Sequence, residues 1–447
     1  PEIPDFGTKI TLRHLAHHTS GLRDQWNLLA LAGWRLDDVI TLDHVMALMS
    51  RQKDLNFEPG EEYLYCNSGF TLLAEIVARV SGKSFAEFTR ERIFTPLKMN
   101  NTLFYVDHEE IVPNRAYSYY KDGNGYKKSV LSYANAGATS LFTTVEDLSL
   151  WAMNFETPLV GDSEIIEKMN TRGVLNNGEK IDYALGQRVD NYKGLKTIGH
   201  GGADAGYRTQ ITRFPDQKLS VIVFSNLAQA NPSSAALAVA DLFLGQEVKE
   251  ENVNTPKETP IPPPPANLDL SLYEATYWNE RGSYSRKIYQ KEGILMYNRG
   301  GENESPLAPL GDHTFKMLNV EVDLIVEFGK NAEGKNNMLV YVPGEEPNES
   351  VAYEPAAYST EELQAFSGRY YSAELETFYQ LIVENDQLIA RHIRHGNIAF
   401  EAIKEDYFST TAWFMGQATF QRNRVGEIKG MKVSSGRVRN IWFEKVN

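Results

Sequence analysis

The 447-residue chain has a single cysteine, Cys66. One thiol can close no intrachain disulfide and build no cysteine-rich metal site. Exported proteins can also lack disulfides, so this leaves the compartment open. No apolar run approaches the roughly 18 residues that a spanning helix needs. The best stretches, Leu28–Trp34 and Ala235–Gly245, are much shorter. No Lys/Arg cluster offers a basic patch, and 45 basic against 59 acidic residues leave a net charge of −14. That balance argues against nucleic acid or anionic lipid as a partner. No signal-peptide pattern is visible, and the chain starts at Pro1 rather than Met. What remains is ordinary for a globular chain: 42% apolar, 23% charged. At about 150 residues per domain, the length suits roughly three domains.

The clearest boundary is the charged and proline-rich stretch Val248–Ala266, which reads as a semi-rigid spacer. It divides the chain into 1–247, the linker 248–266, and a C-terminal part that splits into 267–356 and 357–447. In the first part, Ser68–Val80 is apolar at helical spacing and ends near Gly82. Ser84 with Glu87 forms a capping box, and Pro96 stops the helix it opens. Thr144 with Asp147 opens another helix. Tyr207–Phe214 and Leu219–Asn226 read as a hairpin, and Asn231, Pro232 and Gly245 frame a closing helix. Antiparallel strands with many helices predict an α+β layer architecture.

The C-terminal part is rich in Tyr, Phe, Val and Ile between frequent turns, which predicts all-β structure. It also repeats. At an offset of 93 residues, Tyr273 meets Phe366, Tyr277 meets Tyr370, Leu295 meets Leu388, Leu310 meets Ile403 and Phe315 meets Phe408. Two barrel-like β modules of about 90 residues follow from this register.

Three patterns in the first part can carry chemistry. One is ITLRHLAHHTSGL (10–22), another EPGEEYLYCNSGF (58–70), and the third His200-Gly201-Gly202 ahead of Gly206-Tyr207. Tyr65 and Asn67, two apart at a helix start, can face one cleft, the tyrosine relaying protons and the asparagine holding a substrate amide. Gly201 and Gly202 on a strand edge let a substrate backbone approach, and the Ala203 N–H can donate to an oxyanion. Each pattern alone has a plainer reading: a packed Tyr beside a turn Asn, a tight His-Gly-Gly turn, a buried Cys66 filler. His14 lies three and four residues from His17 and His18, but no further ligand is evident, so no metal is expected.

Taken together and in order, these elements resemble the serine beta-lactamase and DD-peptidase superfamily, closest in pattern to its D-aminopeptidase and esterase members. The resemblance spans nearly all of 1–245. It rests on HHTSGL, PGE-x-x-x-Y-x-N, LFTT-x-EDL at Leu141–Leu148 and HGG-x-x-x-GY. It implies a beta-lactamase-like α+β domain, an antiparallel sheet flanked by helices with its N-terminal part missing. Lipocalin-like β modules would follow it. It assigns Tyr65, Asn67 and His200 to the catalytic set and Gly201, Gly202 and Ala203 to substrate binding. The expected activity is serine hydrolysis through an acyl-enzyme, as a peptidase or esterase more than a beta-lactamase. The partner would be a small-molecule or peptide substrate with no cofactor, an oligomer stays open, and export to a periplasm or cell surface is implied.

One departure stands out. The family's Ser-x-x-Lys nucleophile motif precedes HTSGL by a few tens of residues, which here falls upstream of Pro1. The only literal match, Ser50-Arg51-Gln52-Lys53, follows HTSGL and reads as a helix end with a solvated Lys. A truncated product, a segment from another chain, or a natural binding protein for peptidoglycan-like peptides or a protein partner would each explain this. Truncation is the reading taken, with this chain alone expected to be inactive.

Overall fold

The computed structural model describes residues 2–245 and 268–446, apart from residues 283, 301, 302, 312, 321 and 343–345. The linker expected at 248–266 lies outside the described residues. The described residues fall into two compact units, one within Pro1–Glu250, Ala365–Ala399 and Thr410–Asn447, the other within Glu251–Gln364 and Phe400–Ser409.

In the first unit, the local signals of the sequence act where they stand. The apolar run becomes the helix Asn67–Ser81, ended by Gly82 at φ +69°. Ser84 and Glu87 form the capping box of Phe85–Thr89. Thr144 accepts from the Asp147 N–H to start Val145–Asn154, and Asn231 caps Pro232–Leu244. A four-stranded antiparallel sheet runs in the order Leu219–Ser225, Tyr207–Phe214, Leu195–Asp204, Arg188–Tyr192. The closing helix lays Ala236, Ala240 and Leu244 on Phe214 and Val221 of this sheet. Its small residues allow close packing, which removes apolar surface from water at roughly 25 cal/mol per Å2. Gly69 serves the same end: a Cβ there would sit 2.9 Å from the Leu15 carbonyl, so only glycine lets Leu12–Ala16 lie against the long helix.

This unit also holds seven strands of the second repeat. Their order is Gly396–Ala399, Gln387–His392, Thr377–Glu384, Gly368–Ser372, Val438–Val446, Ile428–Ser435, Gln417–Arg422. They pack on the helix Gln25–Leu31, whose Leu28, Leu29 and Leu31 are fully buried. The last carbonyls of a helix lack partners within it. Here the Tyr379 hydroxyl donates to Leu31 O at 3.0 Å and His395 Nε2 to Ala30 O at 2.7 Å.

The second unit is built on a closed eight-stranded antiparallel barrel, Ala275–Asn279 through Asn348–Tyr353. Its interior is filled by side chains such as Tyr277, Ile288, Leu295, Phe315, Val326 and Met338. The repeat is structural as well as sequential. Tyr277 donates to the Tyr273 carbonyl at 3.0 Å, and Tyr370 to the Phe366 carbonyl at 2.8 Å. Strand Glu304–Gly311 has its counterpart broken at Phe400 into Gly396–Ala399 and Glu401–Lys404. The C-terminal part therefore forms a closed and a nearly closed barrel, and residues 2–245 form an α+β domain of helices with an antiparallel sheet. Among the described residues no helix is long and apolar enough to cross a membrane.

Candidate active site

The first two sequence patterns are zipped together by backbone bonds. Gly60 N–H donates to Thr19 O at 2.8 Å and Leu64 N–H to His18 O at 2.9 Å. His18 adopts φ +59° and is 1% exposed. Its Nδ1 accepts from the Cys66 N–H at 3.0 Å, which fixes the residue between Tyr65 and Asn67. Burial among Tyr63, Tyr65, Phe70 and Tyr183 pushes the imidazole down to about 3, so it is neutral at pH 7.

Asn67 opens its helix. Its N–H and its Nδ2 both donate to Asp24 Oδ2, each at 2.7 Å. The other oxygen of Asp24 accepts from Trp26 N–H at 3.0 Å and so caps Gln25–Leu31. Asp24 is fully buried, and burial holds its carboxyl above the usual carboxylate range. Tyr65 lies between the His18 ring, centroids 4.0 Å apart, and the Arg437 guanidinium, 4.6 Å from its centroid. Burial raises the Tyr65 hydroxyl, with Arg437 opposing it.

The third pattern forms the facing wall. The centroids of Tyr65 and His200 are 6.0 Å apart. His200 Nδ1 donates to Gly201 O at 2.6 Å, which leaves Nε2 to accept from the Tyr183 hydroxyl at 2.9 Å. Burial lowers the His200 pKa, which keeps this arrangement neutral. Gly201, Gly202 and Ala203 are exposed. The partner strand Arg188–Tyr192 ends its pairing at Gly199, so 200–204 present a bare edge among the described strands. Antiparallel pairs alternate outward from the two-residue turn at Ala205–Gly206. Gly201 and Ala203 therefore turn their N–H and C=O groups toward that edge. Just beyond, Asp204 accepts from Thr139, and burial pushes its carboxyl up to about 6.

The structure thus brings Tyr65, Asn67 and His200 to one site with the 201–203 edge alongside. It gives the remaining candidates other work. Cys66 is buried, its thiol donates to Leu22 O at 3.3 Å, and burial pushes it up to about 12, so it makes a poor nucleophile. His14 Nδ1 accepts from Thr11 N–H at 3.3 Å as part of a helix cap, and His17 Nδ1 donates to Arg13 O at 3.1 Å. Among the described residues no group of three metal-ligating side chains exists. Ser50 caps the end of Leu42–Met49 and Lys53 is exposed. Asp24, Tyr183 and Arg437 were missed by sequence reading. Asp24 alone left a signal, a capping residue ahead of the apolar stretch Gln25–Leu31.

His18 makes the site sensitive to acid. Its folded pKa of about 3 lies below the ordinary histidine value of 6.5, so unfolding takes up a proton between those limits. Its contribution to stability is complete above pH 6.5 and is lost as pH falls toward 3, at up to about 1.4 kcal/mol per pH unit. His392, held down to about 4 by burial, acts the same way, while Asp204 acts oppositely between 3.8 and about 6. In urea unfolding at pH 7, 6 and 5, His18→Phe should show a pH slope lower by about one proton. An unchanged slope would mean that His18 is charged in the fold.

Helices on an antiparallel sheet, with Tyr-x-Asn at a helix start near a His-Gly-Gly strand edge, form the α+β architecture of the serine beta-lactamase-related superfamily. The family model described as Beta-lactamase matches residues 1–246, and the chain belongs to that family. Among its curated relatives, a D-aminopeptidase of Brucella canis is 28% identical over 242 residues, 52% of this chain and 45% of that protein. A D-aminopeptidase of Brucella anthropi is 28% identical over 249 residues, 54% of this chain and 46% of that one. The chain spans about half the length of the curated relatives it matches. The octameric penicillin-binding protein homologue from Pyrococcus abyssi shares the fold. Its TM-score is 0.52 at 24% identity, over 78% of this chain and 80% of that one.

Proposed function

We propose that this chain carries most of the site of a serine hydrolase that cleaves a peptide amide or ester, with a D-amino-acid peptide or small acyl ester as substrate. The convergence of Tyr65, Asn67 and His200 on a bare strand edge carries this reading. The D-aminopeptidase name of the relatives supports the substrate class. The nucleophile is assigned to a Ser-x-x-Lys on a segment preceding Pro1. Its serine oxygen attacks the carbonyl carbon, the C–N or C–O bond breaks, and the serine proton passes to the leaving group. Water then hydrolyses the acyl ester. Tyr65 relays the proton with that lysine. Asn67, its Nδ2 held by Asp24, keeps Oδ1 for a substrate N–H. The Ala203 N–H donates to the oxyanion. A substrate amine donates to His200 Nε2 in place of the Tyr183 hydroxyl, whereas a substrate carboxylate is held there only when Nε2 carries a proton. Export to a periplasm or cell surface belongs to the same proposal.

Intact mass after treatment with a fluorophosphonate, and separately with a penicillin, tests this. The 50.5 kDa chain should gain no adduct. The product of the encoding gene, read upstream of Pro1, should contain Ser-x-x-Lys and gain one adduct there. An adduct on Ser50 or Cys66 would relocate the nucleophile. A gene without the motif, and a product that stays unlabelled, would leave a silent binding protein on the same scaffold.

A further inference from the structure

Arg437 comes from outside the segment that the family model matches, yet its guanidinium stands over the ring of Tyr65 and 4.0 Å from Asp24 Oδ2. We propose that Arg437 is a specificity-determining residue that binds a carboxylate on the acyl side of the substrate, so that the site prefers an acidic D-residue there. This rests on the hydrolase reading above.

The turn that carries it is fastened from several directions. Arg437 O accepts from Asp24 N–H at 3.3 Å and from Asn56 Nδ2 at 3.0 Å, while Arg439 N–H donates to Asn56 Oδ1 at 2.8 Å. Arg439 pairs with Glu62 through both oxygens, at 3.0 and 2.9 Å. Arg23 Nη2 donates to Arg439 O at 3.0 Å. The backbone of the turn is therefore held, and it presents the Arg437 side chain to the Tyr65 ring.

The side chain itself is 44% exposed, and its guanidinium makes no hydrogen bond to a described residue. Its five donors in a planar fork suit a carboxylate. The nearby acid takes its charge but no hydrogen bond: Asp24 Oδ2 stands 4.0 Å from Arg437 Nη1 and accepts from Asn67, and Oδ1 accepts from Trp26. The neighbouring Arg439 is spent on Glu62 and Arg23 on Glu374. Arg437 is thus a cation beside Tyr65 and Asp24 with donors to offer, while Arg188 acts on the His200 and Tyr183 side of the site. Asn67 is the residue proposed above to hold a substrate N–H, and with the N–H of the acyl-side residue there, that residue's side chain is the group that meets Arg437.

The probes are D-glutamyl-D-alanine and D-glutaminyl-D-alanine, alike in size and differing in charge. Titrated calorimetrically into the whole chain, the acidic dipeptide should bind about tenfold more tightly. Arg437→Gln should bring the two affinities together, and Arg437→Lys should keep part of the difference. An unchanged thermal midpoint in both variants checks that the turn stays docked. The preference should shrink with added salt. Equal binding of the two dipeptides by the unaltered chain, or a preference surviving Arg437→Gln, overturns the assignment and leaves the hydrolase reading standing. Binding of neither dipeptide also overturns the assignment, and the labelling experiment above then decides the hydrolase reading.

Discussion

Replacing Arg23 by Met should lower the unfolding free energy by about 3–5 kcal/mol, the usual cost of removing one partner of a buried ion pair. Arg23 is 1% exposed and Glu374 5%. Nη1 meets the carboxylate at 2.6 Å, and Nη2 donates to Arg439 O. Burial already holds the Glu374 carboxyl above its ordinary value, with Arg23 pulling it back. Without the guanidinium, that acid must either stay charged in an apolar setting or take up a proton. The pair does not by itself argue for stability, since two ions were desolvated to make it. The variant Arg23→Met/Glu374→Leu should accordingly recover most of the loss. Urea unfolding of both variants at pH 7 checks this, and a single-variant loss under about 1 kcal/mol would mean that water or another cation compensates Glu374.

The second large effect falls on Asp24. Its removal in Asp24→Ala strands the N–H of Trp26, the N–H of Asn67 and the Asn67 amide, all at or near the buried start of a helix. Each unpaired buried donor costs about 1–3 kcal/mol, and no longer burying the Asp24 carboxylate offsets part of the sum, so a loss of about 3–5 kcal/mol is expected. The same change frees the Asn67 side chain, and dipeptide binding should fall with it. Asp24→Asn separates the two consequences. It keeps one oxygen for a cap but sets an NH2 against at least one existing donor, so it should be intermediate in stability and poor in binding. If Asp24→Ala melts within a degree of the unaltered chain, water has taken over all three bonds.

Both effects lie where sequence reading was weakest. The helix starts at Thr144 and Asn231, the box at Ser84–Glu87, the stop at Gly82 and the hairpin at 215–218 are each decided by residues a few positions apart. Such contacts form whatever the rest of the chain does, which is why spacing alone reveals them. The repeat was legible for a related reason. A barrel strand needs the same alternation of inward side chains wherever it occurs, so Tyr277 and Tyr370 recur in one register and make one bond. Tyr65, Asn67 and His200 were legible as members of ordered motifs, without any statement of distance.

Tertiary structure alone decided who meets whom. Tyr183 sits on a stretch with no motif and yet holds His200. Asp24 reads as a helix cap, and only folding brings Asn67 to its second oxygen. Arg437 and Glu374 belong to an all-β repeat whose composition says nothing about a cleft, and packing on Gln25–Leu31 delivers Glu374 to Arg23 and Arg437 to Tyr65. The physical reason is the same in each case. A local pattern sets backbone dihedrals and one face of an element. A site is made of contacts between distant segments, and their energies exist only after the chain has bent back on itself.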